Sequence, residues 1–176
     1  MQLSNFDGCP CHLIEPERTL ERGKMSLELK KLDHQILPKF LASNFDQDRS
    51  INAVLNLRRS YLDGNFHQRK VSKQDAEMVA RNLQQRLNQR FGGNKFRRFN
   101  VSIPMVISIH DCPHLHLHVL VECPENVPLI QMRKFIGEFA NHHQMVDDRA
   151  YAEAAKSIDG SMIYNAKFDN DRIIIF

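Results

Sequence analysis

Residues Pro113 to Glu122 read PHLHLHVLVE. Three histidines alternate with apolar residues, and the run then becomes purely apolar. Period-two alternation belongs to an extended strand, whose successive side chains point to opposite faces. The run therefore predicts a strand with Leu115, Leu117 and Val119 turned into a core and His114, His116 and His118 turned the other way. Threonine is a more usual occupant of a solvated strand face than histidine. Imidazoles at i and i+2 on a strand bring their ring nitrogens close enough to share one cation, and neutral imidazole is a common metal ligand.

The segments around this strand set the fold class. INAVLNL (51–57) has the composition of a short buried strand. Ser60 to Lys70, with Asp63-Gly64-Asn65, has turn chemistry. Ser72 is placed to cap a helix that runs to about Phe91, with Val79, Leu83, Leu87 and Phe91 as its apolar stripe and Ala76 and Ala80 beside it. Gly92-Gly93 ends it. FNVSIPMVISI (99–109) predicts a second strand, and Pro104 within it suggests an edge position or a bulge. His110 to Pro113 is a tight connection, so this strand and the histidine strand form a hairpin. A second helix is expected from about Val127 to Asn141, burying Leu129, Met132, Phe135, Ile136 and Phe139. Residues 150–158 fit strand or helix, 161–167 a short helix and 172–176 a final strand. Helices interrupting an antiparallel sheet imply an α+β fold, with a central antiparallel sheet carrying the histidine-rich strand and helices packed on it.

Residues 1–50 differ from the rest and read as an N-terminal arm or accessory helical segment, with the organised domain at 51–176. Cys9-Pro-Cys11-His12 supplies only half of a zinc site, since no second pair completes it. The N-terminus lacks a basic start followed by an apolar run, so no secretory signal is expected. With four cysteines and no export signal, free thiols are expected rather than a disulfide frame. No apolar run is long enough to span a bilayer, so no membrane partner is expected. Net charge is +3, but it is unevenly spread. Between Arg58 and Arg98 eleven Lys and Arg face three acids. Such a basic block favours a polyanionic partner. Arg58, Arg59, Arg97 and Arg98 are the candidate contacts to a nucleic-acid backbone, with Phe66, Phe96 or Phe99 available to stack on bases.

Two families carry a run of this kind. HLHLHVL (114–120) matches the His-φ-His-φ-His-φ-φ pattern of the histidine-triad nucleotide hydrolases, φ being apolar, which would make His116 a nucleophile needing no metal. The same run resembles the HUH endonucleases, which include rolling-circle replication initiators and relaxase-like nickases and carry His-apolar-His on a central strand. Tyr164-Asn-Ala-Lys167 has the Tyr-x-x-Lys spacing of that family and follows the predicted helix after the histidine strand. The upstream LNQRFGG, FRRFNVSIPMVISIH and the Cys-Pro turn after the run are also similar to replication initiators. The histidine-triad reading accounts for less of the chain. No Gly-Gln or Asn-Gly loop precedes the run, a long segment follows it, and the basic block is surplus for a mononucleotide.

The HUH resemblance implies an enzyme, a metal-dependent DNA endonuclease that nicks and rejoins single strands. Tyr164 would form a covalent 5′-phosphotyrosine intermediate, with Lys167 assisting. It implies a divalent metal ion (Mn or Mg, or Co, Ni or Zn) on His116 and His118, with His110 or His114 as third ligand. It implies single-stranded or hairpin DNA as substrate and replication proteins as further partners. A cytoplasmic setting in a bacterial or phage-infected cell, and a role in replication initiation or mobilisation of a mobile element, also follow from the resemblance. A noncatalytic nucleic-acid-binding module is the remaining alternative.

Overall fold

Alternation organises the centre of this chain as well as the histidine run. The computed structural model describes residues 43–111, 113–158 and 172–176. Five strands form one antiparallel sheet: β1 (Ser50–Asn56), β4 (Met105–His110), β5 (His116–Glu122), β6 (Tyr151–Ala154) and β7 (Arg172–Ile175), in the order β6-β1-β5-β4-β7. The histidine strand β5 is thus the central one, paired with β1 on one side and β4 on the other. The α+β architecture with helices on a central antiparallel sheet is as expected.

One face of the sheet is the dry core. Ile51, Ala53 and Leu55 of β1, Met105, Ile107 and Ile109 of β4, and Leu117, Val119 and Val121 of β5 are buried there against the helices. The first helix, α1 (Lys73–Phe91), buries Ala76, Val79, Ala80, Leu83 and Leu87 on that face. Its start is a full capping box: the Ser72 hydroxyl accepts from the Asp75 amide, and the Asp75 carboxylate accepts from the Ser72 amide. Burying the Leu83 and Leu87 side chains contributes about 1.5–3 kcal/mol each. The last long helix, α3 (Leu129–His142), buries Met132, Ile136, Phe139 and Ala140. Phe135 of α3 meets Phe91 of α1 edge to face, with ring centres 5.3 Å apart.

Two polar anchors fix α1 antiparallel to β4. At its start, Lys73 pairs with Asp111, just past the end of β4, at 2.7 Å. Near its end, the buried Asn88 side chain accepts from the Ile103 amide at 2.8 Å, just before β4.

The structure departs from the sequence expectations in three places. Phe99 does not begin a strand: Gly93–Phe99 is a short helix, α2, and β4 starts only at Met105. Gly92 permits the close step between α1 and α2, since a Cβ there would lie 2.6 Å from the Asn88 carbonyl oxygen; Gly93 takes φ +53°. Asn100 then ends α2 in the left-handed region. Pro104 stands just outside β4, where its missing N–H disturbs no ladder, and β4 is an interior strand rather than an edge. The segment 60–70 is more than a loop: Ser60–Leu62 (β2) and Gln68–Lys70 (β3) pair as a separate two-stranded hairpin. Residues 151–154 resolve as an edge strand, and 172–175 as the strand on the other edge.

Residues 43–50 are joined to the sheet. A single 3₁₀ turn, Gln47–Arg49, leads into β1, Phe45 is buried with Leu120, and the Arg49 guanidinium donates to the carbonyls of Cys123 and Pro124. Cys123 is a free, buried thiol. The expected helix near Met25–Ala42, the Cys9-Pro-Cys11-His12 cluster and the expected helix at 161–167 lie outside the described residues. No helix among the described residues is long and apolar enough to cross a membrane.

Candidate metal centre

The second face of the sheet is chemically unlike the first. On it, Val106, Leu120, Ile173 and Ile175 form an apolar patch with Phe45, Ala155 and Ile158. Beyond the patch, toward the β4–β5 turn, the face becomes polar. Cross-strand pairing aligns Asn56, His116 and His110 in one row, and Val54, His118, Ser108 and Ile173 in the next. Residues paired across antiparallel strands share a face, so His110, His116 and His118 all project away from the helices.

Their ligand atoms all lie within 4.8 Å of one another. The rings of His116 and His118 are 4.9 Å apart, and His110 packs against both, at 5.2 and 4.6 Å. Nε2 of His116 lies 3.1 Å from Nε2 of His118. Two nitrogens bound at about 2.1 Å to one ion stand roughly 3.0–3.4 Å apart at octahedral or tetrahedral angles. The pair therefore already has the spacing of two ligands on one cation, with a ligand atom of His110 within 4.8 Å of each.

Orientation and protonation suit the same purpose. Nδ1 of His116 lies 2.7 Å from the His114 carbonyl oxygen. That contact places the ring proton on Nδ1 and turns the Nε2 lone pair toward the other imidazoles, as the outer hydrogen bond of a metal-bound histidine does. Burial, then the neighbouring His116, pushes the His110 pKa down to about 4. Burial, then His110 and His116, does the same for His118, also to about 4. Both rings are neutral at pH 7, the state that binds metal. Three imidazole nitrogen donors suit Mn, Co, Ni or Zn better than Mg.

The expected site residues fall into three groups. His110, His116 and His118 come together. His114 precedes β5, is exposed and stands outside the cluster; its contribution is the backbone carbonyl that holds His116. Tyr164 and Lys167 lie outside the described residues. The basic block is divided. Arg58 and Arg59 follow the end of β1 that carries Asn56, next to the histidine row. Arg97 and Arg98 are exposed on α2, past the far end of α1, about 27 Å from its start for a helix of this length.

Two residues escaped the sequence reading. Ser108 is fully buried on the histidine face beside His118, and its hydroxyl has no hydrogen-bond partner among the described residues. The alternation Val106, Ser108, His110 in VISIH carries that signal. Tyr151 pairs with Val54, which pairs with His118, so this tyrosine shares the histidine face two strands away. Its exposed hydroxyl is hydrogen-bonded to Glu153, and that acidic neighbour raises its pKa.

Compared with known proteins, this chain matches no family model, no curated protein and no solved structure.

Proposed function

We propose that this protein is a metal-dependent nickase and strand transferase of the HUH type, acting on single-stranded or hairpin DNA. One observation carries the reading. His116-Leu117-His118 occupies the central strand of a five-stranded antiparallel sheet, and its two imidazoles converge with His110 of the neighbouring strand on the face away from the helices. The histidine-triad alternative needs His114, His116 and His118 to act together, whereas His114 stands apart and His110 takes its place.

In this reading His116 and His118 hold a divalent ion, and His110 closes the set. When bound, the ion neutralises a nonbridging phosphate oxygen and polarises phosphorus as a Lewis acid. The His114 carbonyl keeps His116 in the ligating tautomer. Tyr164 attacks phosphorus through its phenolic oxygen, and the 3′-oxygen of the preceding nucleotide leaves. The 5′-phosphotyrosine formed keeps the bond energy for rejoining. A free phenol has a pKa near 10, so Lys167, three residues on, assists by stabilising the phenolate.

Connectivity supports the choice of tyrosine. Ile158 is buried on the histidine face with Val106 and Leu120, and Arg172 enters β7 opposite Ile109. Tyr164 is six residues from the first anchor and eight from the second. Six residues span at most about 20 Å.

The test is a covalent adduct. Wild-type protein mixed with a labelled single-stranded oligonucleotide pool and Mn²⁺ gives a shift that survives SDS. Tyr164→Phe abolishes the shift while DNA binding stays largely intact. A shift kept in Tyr164→Phe and lost in Tyr151→Phe would move the nucleophile to the edge strand. Absence of any adduct with any divalent ion would refute the nickase reading.

A further inference from the structure

A cavity of about 400 Å³ opens at the end of the sheet nearest the histidines, on the side opposite their rings. Its walls come from three places brought together by the fold: the exit of β1 (Arg58, Arg59), the β2–β3 hairpin (Lys70) and the start of α1 (Lys73). The connection between β4 and β5 closes it, through Asp111 and His114. Four permanent cations thus face a single carboxylate.

The charge is neither cancelled nor loose. Asp111 is spent on Lys73 at 2.7 Å. Among the described residues, none of Arg58, Arg59 and Lys70 is held in an ion pair. Arg58 is oriented by its own backbone surroundings. Its amide donates to the Met145 carbonyl, and its Nε donates to the Val146 carbonyl at 2.9 Å, which leaves the terminal guanidinium nitrogens for a ligand. The hairpin is fixed at its base, where the Val71 amide donates to the Arg59 carbonyl at 3.1 Å. The floor is apolar, from Leu57, Val71 and Leu115.

A cationic rim over an apolar floor matches an anion joined to a hydrophobic body. A nucleotide has both parts, its phosphate for the rim and its sugar or base for the floor. Position narrows the source. Asp111 follows His110 directly, and His114 and Leu115 lead directly into His116. The turn that walls the cavity is the turn that joins the histidine strands. A strand with one phosphate at the histidines and its neighbours running past this turn would enter the cavity. We propose that the cavity binds a nucleotide of the DNA strand flanking the phosphodiester held at the histidines, with Arg58, Arg59 and Lys70 on its phosphate. The link to the histidines rests on the function proposed above; binding of a strand in the cavity does not.

Binding of a fluorescent single-stranded oligonucleotide to the full chain, followed by anisotropy in EDTA across a salt series, tests this. Each phosphate neutralised adds about 0.7 to the slope of log K against log salt for a single strand. Arg59→Ala and Lys70→Ala each lower the slope by roughly that amount, and the double variant lowers it by about 1.4 and weakens binding at least tenfold at 0.15 M salt. Both side chains are exposed, so circular dichroism of the double variant matches wild type. Lys134→Ala, a charge loss on α3, leaves the slope unchanged. Unchanged affinity and slope in the Arg59→Ala/Lys70→Ala variant would overturn the proposal. So would displacement of the oligonucleotide by a free nucleoside monophosphate at the same nucleotide concentration, which would assign the cavity to small ligands. The metal-free measurement is independent of catalysis. A protein that passes it and forms no adduct with Mn²⁺ keeps the cavity and loses the nickase.

Discussion

The two faces of strand β5 use the same backbone for opposite ends. Leu117, Val119 and Val121 point into a core closed by α1 and α3, while His116 and His118 point to the face where only part of the surface is apolar. The first face sets stability through burial, which is insensitive to pH and metal. The second carries buried polar groups: His110, only 3% exposed, has a pKa pushed down to about 4, and the buried Ser108 hydroxyl lacks a partner among the described residues. Burying a polar group costs stability where no hydrogen bond compensates it. One face carries the core and the other carries the clustered imidazoles, and substitutions on the two should separate cleanly.

The largest effect is expected from the core face. Leu117→Ala should cost about 2–5 kcal/mol, read by chemical denaturation, because a fully buried strand residue leaves a cavity between sheet and helices. Metal affinity of the surviving folded fraction should hold. Next comes Asn88→Ala, which strands the buried Ile103 amide and should cost about 1–3 kcal/mol. An Asn88→Ala protein as stable as wild type would show that this anchor adds nothing to the packing of α1 on β4.

How much of this division was legible in sequence follows from the same alternation. The period of two in HLHLHVLV sets both faces of β5, and the stripe Val79, Leu83, Leu87 with the Ser72 cap marks α1, because each is a local pattern with a local physical cause. The hairpin partner His110 was readable from the tight turn. What was not legible depended on contacts distant in sequence. Arg97 and Arg98 join Arg58 and Arg59 in one basic block on paper, yet α1 carries them to opposite ends of the sheet. Phe99 reads as the start of a strand because it adjoins a real one, while Gly93 and Asn100, both at positive φ, bracket it within a short helix. His114 fits the histidine alternation, but pairing of β5 starts only at His116, so the first imidazole is left outside the sheet.

The histidine face is the one that should respond to pH. With folded-state pKa values near 4 against an ordinary 6.5, His110 and His118 bind protons more readily when unfolded. Their contribution to stability is complete above pH 6.5 and is lost as pH falls toward 4. In EDTA, the thermal midpoint should fall across this window, ahead of the carboxylate protonation that follows at lower pH. His110→Gln should flatten that fall. A midpoint independent of pH between 6.5 and 4 would contradict the account of these buried imidazoles. The smallest stability effect belongs to His116→Ala, half-buried at the rim of the cluster, which should change unfolding free energy by less than about 1 kcal/mol.

That variant also enters the measurement that tests the centre of this account most directly. Calorimetric titration of Mn²⁺ or Zn²⁺ into the full chain at pH 7.5 should reveal one site that weakens at least tenfold in each of His110→Ala, His116→Ala and His118→Ala. It should persist in His114→Ala, whose carbonyl is unchanged. Equal loss in His114→Ala, or undiminished binding in His118→Ala, would contradict a cation held between β4 and β5.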